Sequence, residues 1–386
     1  MNQLDVDVAI LGAGPVGGAL ALLLAGHARH PDRIAVLHSD QASFYGHDTS
    51  ADPRVLALNH GSRVLLESLG AWPTRAAPIR TIHVSQRGRL GRTLIGHEEF
   101  GVPALGYVVR YADLHQALTG ALANSGVTLL AGDKAELESQ QSGLAHIRQG
   151  SLRLVARLVV QADGRPEGEA RRTYHQTALI TQAVASQPKE GWAFERFTRE
   201  GPLAVLPHPE KPGLQSIVWC CTPERASSLQ RLDPAAFSAA LSEAFGSRLG
   251  SLNVEGPINA FPLSLHVRPE SVNGIVVAIG NAAQTLHPVA GQGLNLGLRD
   301  AGLLARTFQG WIGGYPQDAA DLLDDFVRSR QVDRTLTTNL TDLMSRIFTT
   351  HSPLVEHAGG LALLGLDMFP ALRRPLARHL LQGLRG

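Results

Sequence analysis

Two cysteines in 386 residues, Cys220 and Cys221, exclude a disulfide framework, and their adjacency in an apolar run points them to opposite faces of a strand. Lysine is almost as scarce, occurring only as Lys134, Lys189 and Lys211, so arginine carries nearly all the positive charge. The 35 basic and 34 acidic residues almost cancel and are dispersed, which leaves no basic stripe and excludes nucleic acid as a partner. No apolar run reaches the roughly 18 to 20 uncharged residues of a membrane span. The nearest, residues 358–372, is interrupted by Asp367. No secretory leader is legible, because Asp5 and Asp7 precede the first apolar run and glycines break it, so the expected compartment is the cytoplasm. The sixteen histidines are scattered, and His27 and His30 lack companion ligands, so no metal site is expected. What is present is an ordinary globular composition, 44% hydrophobic, long enough to bury a large core shared by two interleaved domains.

Residues 6–11 read as a buried strand, 16–26 as an apolar helix and 34–37 as a second strand, the opening of a βαβ unit. Strands are expected at 81–86 and 158–161, with a helix at 112–125. Short apolar runs at 178–185, 203–206, 214–220 and 258–267 then predict an inserted antiparallel sheet, with Asp233 capping a helix that has Pro234 at its first position. The α/β pattern returns with a strand at 274–279 and a helix at 294–308, followed by helical segments to the C-terminus.

Gly12-Ala13-Gly14-Pro15-Val16-Gly17 fits the G-x-G-x-x-G pattern, in which glycines permit a tight turn, close approach of a pyrophosphate and packing of helix on strand. With glycine at 40 of 386 positions, three fixed glycines recur by chance roughly 0.4 times in such a chain, so the pattern alone does not decide. Its place does: a strand precedes it, an apolar helix follows, and that helix N-terminus offers free N–H groups to phosphate. The acidic residue expected about twenty positions on, for the adenosine ribose, is replaced by His38 and Ser39, with Asp40 two positions late.

A second run is more specific: Gly280-Asn281-Ala282-Ala283-Gln284, then Pro288 and Gly291-Gln292-Gly293-Leu294-Asn295. It resembles the G-D-A-A-H…P…G-Q-G-x-N signature of the class A flavoprotein monooxygenases, the para-hydroxybenzoate hydroxylase-like group. The resemblance implies a Rossmann-like FAD-binding domain with an inserted antiparallel-sheet substrate domain and a helical C-terminus. It assigns residues 1–74, 106–174 and 273–350 to the FAD domain, 75–105 and 175–272 to the substrate domain, and 351–386 to the C-terminal segment. In that family the first part of the run contacts the ribityl chain and the second lays a helix N-terminus against the pyrimidine edge of the flavin, where reduced flavin is anionic. By the same resemblance Asp163 and Gly164 match a central D-G motif and Arg54 an arginine near the flavin.

Asn281 and Gln284, which stand where the signature has Asp and His, and Ala193-Phe194-Glu195-Arg196-Phe197-Thr198 leading into Gly201-Pro202, look like the 2-polyprenyl-6-methoxyphenol hydroxylases of ubiquinone biosynthesis. Residues 81–85 and Phe245-Gly246-Ser247-Arg248-Leu249-Gly250 also fit that branch. The resemblance implies FAD reduced by NAD(P)H, oxygen activation through a flavin C4a-hydroperoxide, and hydroxylation of a prenylated phenol. It names no general base, although His287 sits nearest in sequence to the flavin loop. Partners implied are the phenol, O2 and other proteins of the pathway. Other readings are a non-catalytic flavoprotein scaffold of that pathway and a flavin reductase or halogenase, although no W-x-W-x-I-P run or active-site lysine supports halogenation. The apolar stretch 361–366, with Arg373, Arg374, Arg378 and Arg385, fits either helix packing or peripheral contact with the inner membrane.

Overall fold

The computed structural model describes residues 3–39, 52–89, 91–164, 172–285, 291–347 and 353–382. The strands of the first half are β1 (Gln3–Leu11), β2 (Ile34–Ser39), β3 (Val55–Asn59), β4 (Ala77–Ile79), β5 (Thr81–Gln86), β6 (Arg92–Gly96), β7 (Gly106–Arg110), β8 (Thr128–Gly132), β9 (Glu136–Gln141) and β10 (Leu144–Gln149). Those of the second half are β11 (Leu152–Gln161), β12 (Arg172–Ala185), β13 (Trp192–Phe197), β14 (Pro202–Pro207), β15 (Leu214–Cys221), β16 (Leu252–Val267), β17 (Val272–Asn273), β18 (Val276–Ala278) and β19 (Gln284–Thr285). The helices are α1 (Pro15–Ala25), α2 (His60–Ser68), α3 (Tyr111–Ala123), α4 (Pro223–Gln230), α5 (Pro234–Phe245), α6 (Gln292–Ile312), α7 (Ala319–Ile347), α8 (Pro353–Met368) and α9 (Pro370–Gln382).

The first sheet runs β17-β18-β11-β1-β2-β8. Its central strands are parallel, β11 to β1, β1 to β2 and β2 to β8. A strand in that position is covered on both faces and must be apolar throughout; Val6, Val8, Ala9 and Ile10 are all buried. Helix α1 is apolar nearly all round for the same reason, since it lies between the sheet, α3 and α6. Val8, Ile10, Leu20, Leu304 and Phe308 belong to the largest core. The meander β9-β10 pairs antiparallel onto the first half of β11.

The second sheet has the order β19-β16-β12-β15-β14-β13-β5-β6 and is antiparallel except between β13 and β5. One face is closed by α4 and α5 through Leu179, Phe194, Trp219, Phe237 and Phe245. Asp233 does cap α5, its side chain accepting from the Ala236 N–H at 2.7 Å, with Pro234 in the first turn. Cys220 and Cys221 alternate on β15 as expected, and both are buried free thiols. A small third sheet, β3-β7-β4, was not anticipated; it stands between the other two.

Candidate active site

The first glycine loop leaves β1 between the ends of two flanking strands: Gly12 N–H donates to the Leu37 carbonyl and Ala162 N–H to the Leu11 carbonyl, both at 2.8 Å. Gly12 holds φ +116°, and a Cβ there would lie 2.6 Å from the Ala162 oxygen and the Asp163 Cα. A Cβ on Gly17 would collide with the Gly12 carbonyl oxygen. Gly14 differs, because it has ordinary extended backbone, caps α1 without a side-chain hydrogen bond, and a Cβ on it would meet no protein atom within 4 Å. Its smallness therefore serves something outside the protein's own packing. With Pro15 at the first helical position, the free N–H groups of the α1 N-terminus open onto that space, which fits a pyrophosphate.

The second loop starts where β18 ends, at Gly280, φ +59°. Gly280 N–H donates to the Asp300 carboxylate at 3.1 Å. The loop's next residues add β19 to the edge of the second sheet, pairing His266 with Thr285 and Val267 with Gln284. Gly291 is the left-handed N-cap of α6, φ +59°, again with no side-chain cap, so a second helix begins with unsatisfied N–H groups. The two loops meet at Val16, whose methyls touch the position of a Cβ on Gly280 at 3.1 Å and crowd Gly297 at 2.7 Å. The first turn of α1 thus packs against the start of the second loop and the second turn of α6, and both helices begin without a side-chain cap.

The expected site residues divide into three groups. Gly12, Gly14, Pro15, Val16, Gly17, Gly280, Gly291 and Gly293 form the paired loops; Asn281 is exposed on them, its side-chain oxygen 4.0 Å from where a Gly293 Cβ would stand. Asp163 is exposed beside Gly12, and Gly164, φ +74°, turns the chain there. Gln292, Leu294 and Asn295 face inward instead. Gln292 accepts from Arg299 at 3.3 Å and Leu294 packs on the main core. Asn295, 1% exposed, accepts from Asn59 N–H and Ser62 Oγ at 2.9 and 2.8 Å and donates to the Ala57 and Gly291 carbonyls at 2.9 and 2.8 Å. Both ends of that amide are fully used within the protein, so its side chain ties the first turn of α6 to β3 and α2. Pro288, His287 and Asp40 lie outside the described residues.

Arg54 is held by Asp52 at 2.9 to 3.0 Å and lies 4.3 Å over the Tyr111 ring. Tyr111 in turn stacks on His115 at 6.0 Å. Burial raises the Tyr111 pKa against the opposing effect of Arg54; burial, and then His38, lowers that of His115. This group lies by the end of β2, where no acidic side chain stands at His38 or Ser39.

The sequence pattern did not reveal the support under the second loop. Asp300 binds Gly280 N–H with one oxygen and Arg330 Nε with the other, at 2.7 Å. Arg330 also pairs with Asp333, and Asp333 with Arg299 at 2.9 Å. Burial works against the Arg330 charge, but Asp300 and Asp333 more than offset it and raise its pKa. Arg334 bonds Gln284 Oε1 at 2.8 Å and the Arg268 and Ala283 carbonyls at 2.9 and 3.2 Å. The Arg330–Asp333 spacing was a visible helical pair; nothing local linked either to Asp300.

The open face of the second sheet supplies an apolar wall. Register places Val84, Glu195, Ala204, Val218, Ile180 and Asn259 in one cross-strand row. Next to it Ile82, Ala193 and Leu206 pack on Ile79 and Val108 of the third sheet. That sheet is joined to the second glycine loop through Ala57, which lies 3.1 Å from a Cβ position on Gly291. Glu195 is the ionisable member of the row, and the nearby Cys220 thiol is kept neutral by burial first and by that carboxylate second.

The model of the FAD binding domain family matches residues 5–336. The chain is 29% identical over 403 residues to 3-demethoxyubiquinol 3-hydroxylase of Escherichia coli, covering 99% of this chain and 100% of that one. It is 31% identical over 399 residues to ubiquinone hydroxylase UbiL of Rhodospirillum rubrum, covering 98% and 90%. The fold is similar to that of p-nitrophenol 4-monooxygenase PnpA from Pseudomonas putida, with TM-score 0.74, 17% identity and full coverage of both chains.

Proposed function

From a chain that belongs to the FAD-binding-domain family, we infer an FAD-dependent monooxygenase that hydroxylates the ring of a prenylated phenol or quinol in ubiquinone biosynthesis, with NAD(P)H as reductant and O2 as oxidant. The observation that carries the reading is the junction of the two uncapped helix ends with a half-buried apolar wall, through β19 and Ala57. The names of the two relatives, both hydroxylases of ubiquinone or its precursor, support the substrate class.

FAD, when bound, supplies electron storage and oxygen activation. The α1 N-terminus and Gly14 would hold its pyrophosphate, Asp163 and Asn281 would bond its polyol hydroxyls, and the α6 N-terminus would favour negative charge on its ring. Ile82, Ile180, Ala204, Leu206 and Val218 orient the aromatic substrate by contact and exclude water, which protects the oxidising equivalent from being discharged. Glu195 is the wall's acceptor for a ring hydroxyl and holds its proton at a carboxylate oxygen. Burial keeps Cys220 a thiol, so it does not compete as a nucleophile.

Incubation of the holoenzyme with NADPH, O2 and a short-chain prenylphenol tests this. The expected product is heavier by one oxygen atom, with substrate-stimulated NADPH oxidation. NADPH consumption indifferent to the phenol, or a product without added oxygen, would falsify the reading and favour a scaffold or a reductase.

A further inference from the structure

The C-terminal hairpin of α8 and α9 has its polarity turned inside out. Among the described residues twelve large hydrophobic side chains are exposed, and five lie within residues 361–372: Leu361 at 68%, Leu364 at 37%, Met368 at 64%, Phe369 at 57% and Leu372 at 65%. Every exposed residue in that stretch is apolar. The polar groups point the other way. Asp367 accepts from Leu94 N–H of the edge strand β6 at 2.9 Å, and Thr93 Oγ donates to the Leu363 carbonyl at 2.6 Å. Arg373, one of the basic residues that fitted either helix packing or lipid contact, is buried and grips both oxygens of Glu99 at 2.8 Å. A Cβ on Gly91 would collide with the Gly360 backbone, so hairpin and strand are in intimate contact.

A helix packing only within its own chain would bury its leucines and expose its charges. Here the buried salt bridge and the bond to β6 fix the hairpin against the substrate sheet, so the apolar side is held outward. Such a patch marks an interaction surface. Arg374 and Arg378, one turn apart on α9 and both exposed, stand beside Leu372 and give the patch a positive border. None of the described helices is long and apolar enough to cross a membrane, so contact would be interfacial.

We propose that this outward face of the α8–α9 hairpin seats the protein on an anionic phospholipid bilayer, with Leu361, Met368, Phe369 and Leu372 entering the headgroup boundary and Arg374 and Arg378 meeting phosphates. The proposal rests on the functional reading above in one respect: a prenylated ring must be collected from a bilayer, and the hairpin abuts the β6 edge of the sheet that supplies the substrate wall. The charged border favours lipid over a second copy of the chain, since in a two-fold contact the same arginines would approach their own kind.

The test is flotation of full-length holoenzyme with phosphatidylcholine vesicles, with and without phosphatidylglycerol. Binding is expected to vesicles containing phosphatidylglycerol and to be weak to phosphatidylcholine alone. The Phe369→Asp, Leu372→Asp pair should bind at least about tenfold more weakly while flavin content stays the same. Arg374→Glu, Arg378→Glu should lose about fivefold per position at low salt and converge with wild type at high salt. If the Asp pair lowers flavin content, the milder Phe369→Ser, Leu372→Ser pair reads the same surface. A wild-type protein that does not float, or Asp and Ser pairs that float equally well, overturns the proposal. So does a dimer in sedimentation equilibrium that the same substitutions dissolve. Turnover of a water-soluble phenol should be untouched by the Asp pair; failure of that turnover in wild type strikes the functional reading and leaves flotation standing.

Discussion

The two helix N-termini that frame the proposed cofactor site are built by opposite means. At α1 the means are backbone: three glycines, a proline and two strand-end hydrogen bonds bring the turn to its shape, and among the described residues no side chain caps the helix. At α6 the glycines supply only the conformation. The position comes from Asn295 clamping β3 and α2, from Asp300 holding Gly280, and from Arg330 and Arg334 reaching across from α7. A phosphate-binding turn can be specified in six residues. A helix end that must face a ring and border the substrate wall has to be located in three dimensions, and side chains from distant segments do that.

The comparison can be broken at either end. Gly17→Val should have the largest effect, because its side chain meets the Gly12 carbonyl oxygen and the loop cannot relax without leaving the sheet. Absence of bound flavin and a molten or aggregated product are expected, and a well-folded holoenzyme by flavin absorbance would contradict the packing described. Asp300→Asn should cost about 3–5 kcal/mol by leaving Arg330 buried with one partner fewer, read as a fall in the denaturation midpoint even in the absence of flavin. Asn295→Ala, which removes four hydrogen bonds but no charge, should cost on the order of 2–4 kcal/mol. It should weaken FAD binding by displacing α6; unchanged FAD affinity would return Asn295 to a purely structural place. Gly14→Ala sharpens the contrast from the other side. No protein atom lies within 4 Å of the added methyl, so stability without flavin should be unchanged while FAD affinity falls about tenfold or more; equal FAD affinity would mean the pyrophosphate does not pass there.

The smallest effect belongs to a region away from both loops. His83, buried on β5, has its pKa lowered to about 4 by burial first and then by Arg248 and Arg92. Between pH about 6.5 and 4 the unfolded chain takes a proton there that the folded chain refuses, so its contribution to stability is present above 6.5 and is lost as the pH falls through that window. Replacing His83 by Gln should flatten the acid limb of the stability–pH curve between those values. An identical slope would mean that His83 titrates normally in the fold.

Much of the site was legible in the residues because its parts are turns and helix starts. Gly12 to Gly17 and Gly280 to Asn295 announce backbone conformations, and a conformation that only glycine tolerates is readable from glycine. Asp233 and Pro234 capped α5 as expected for the same reason: a cap is a contact between near neighbours. The sheet β3-β7-β4 was not legible, since its strands are short and pair only with each other across a gap filled by other elements. Nor was the role of Arg373, which reads in sequence as one of a basic cluster until Glu99, far away along the chain, turns it inward.

The sequence by itself determined a strand–turn–helix of the dinucleotide-binding kind and a second, flavin-type glycine run, because both depend on steric freedom at single residues and on periodicities a few residues long. Only the tertiary structure decided that the two runs meet at Val16, that Asn295 ties the start of α6 to β3 and α2, and that Glu195 stands in a half-buried row on the open face of the second sheet. The physical reason is that burial and pairing are properties of the neighbours a fold brings together. The same reason applies to the C-terminal hairpin, whose leucines could have been core and were left facing out.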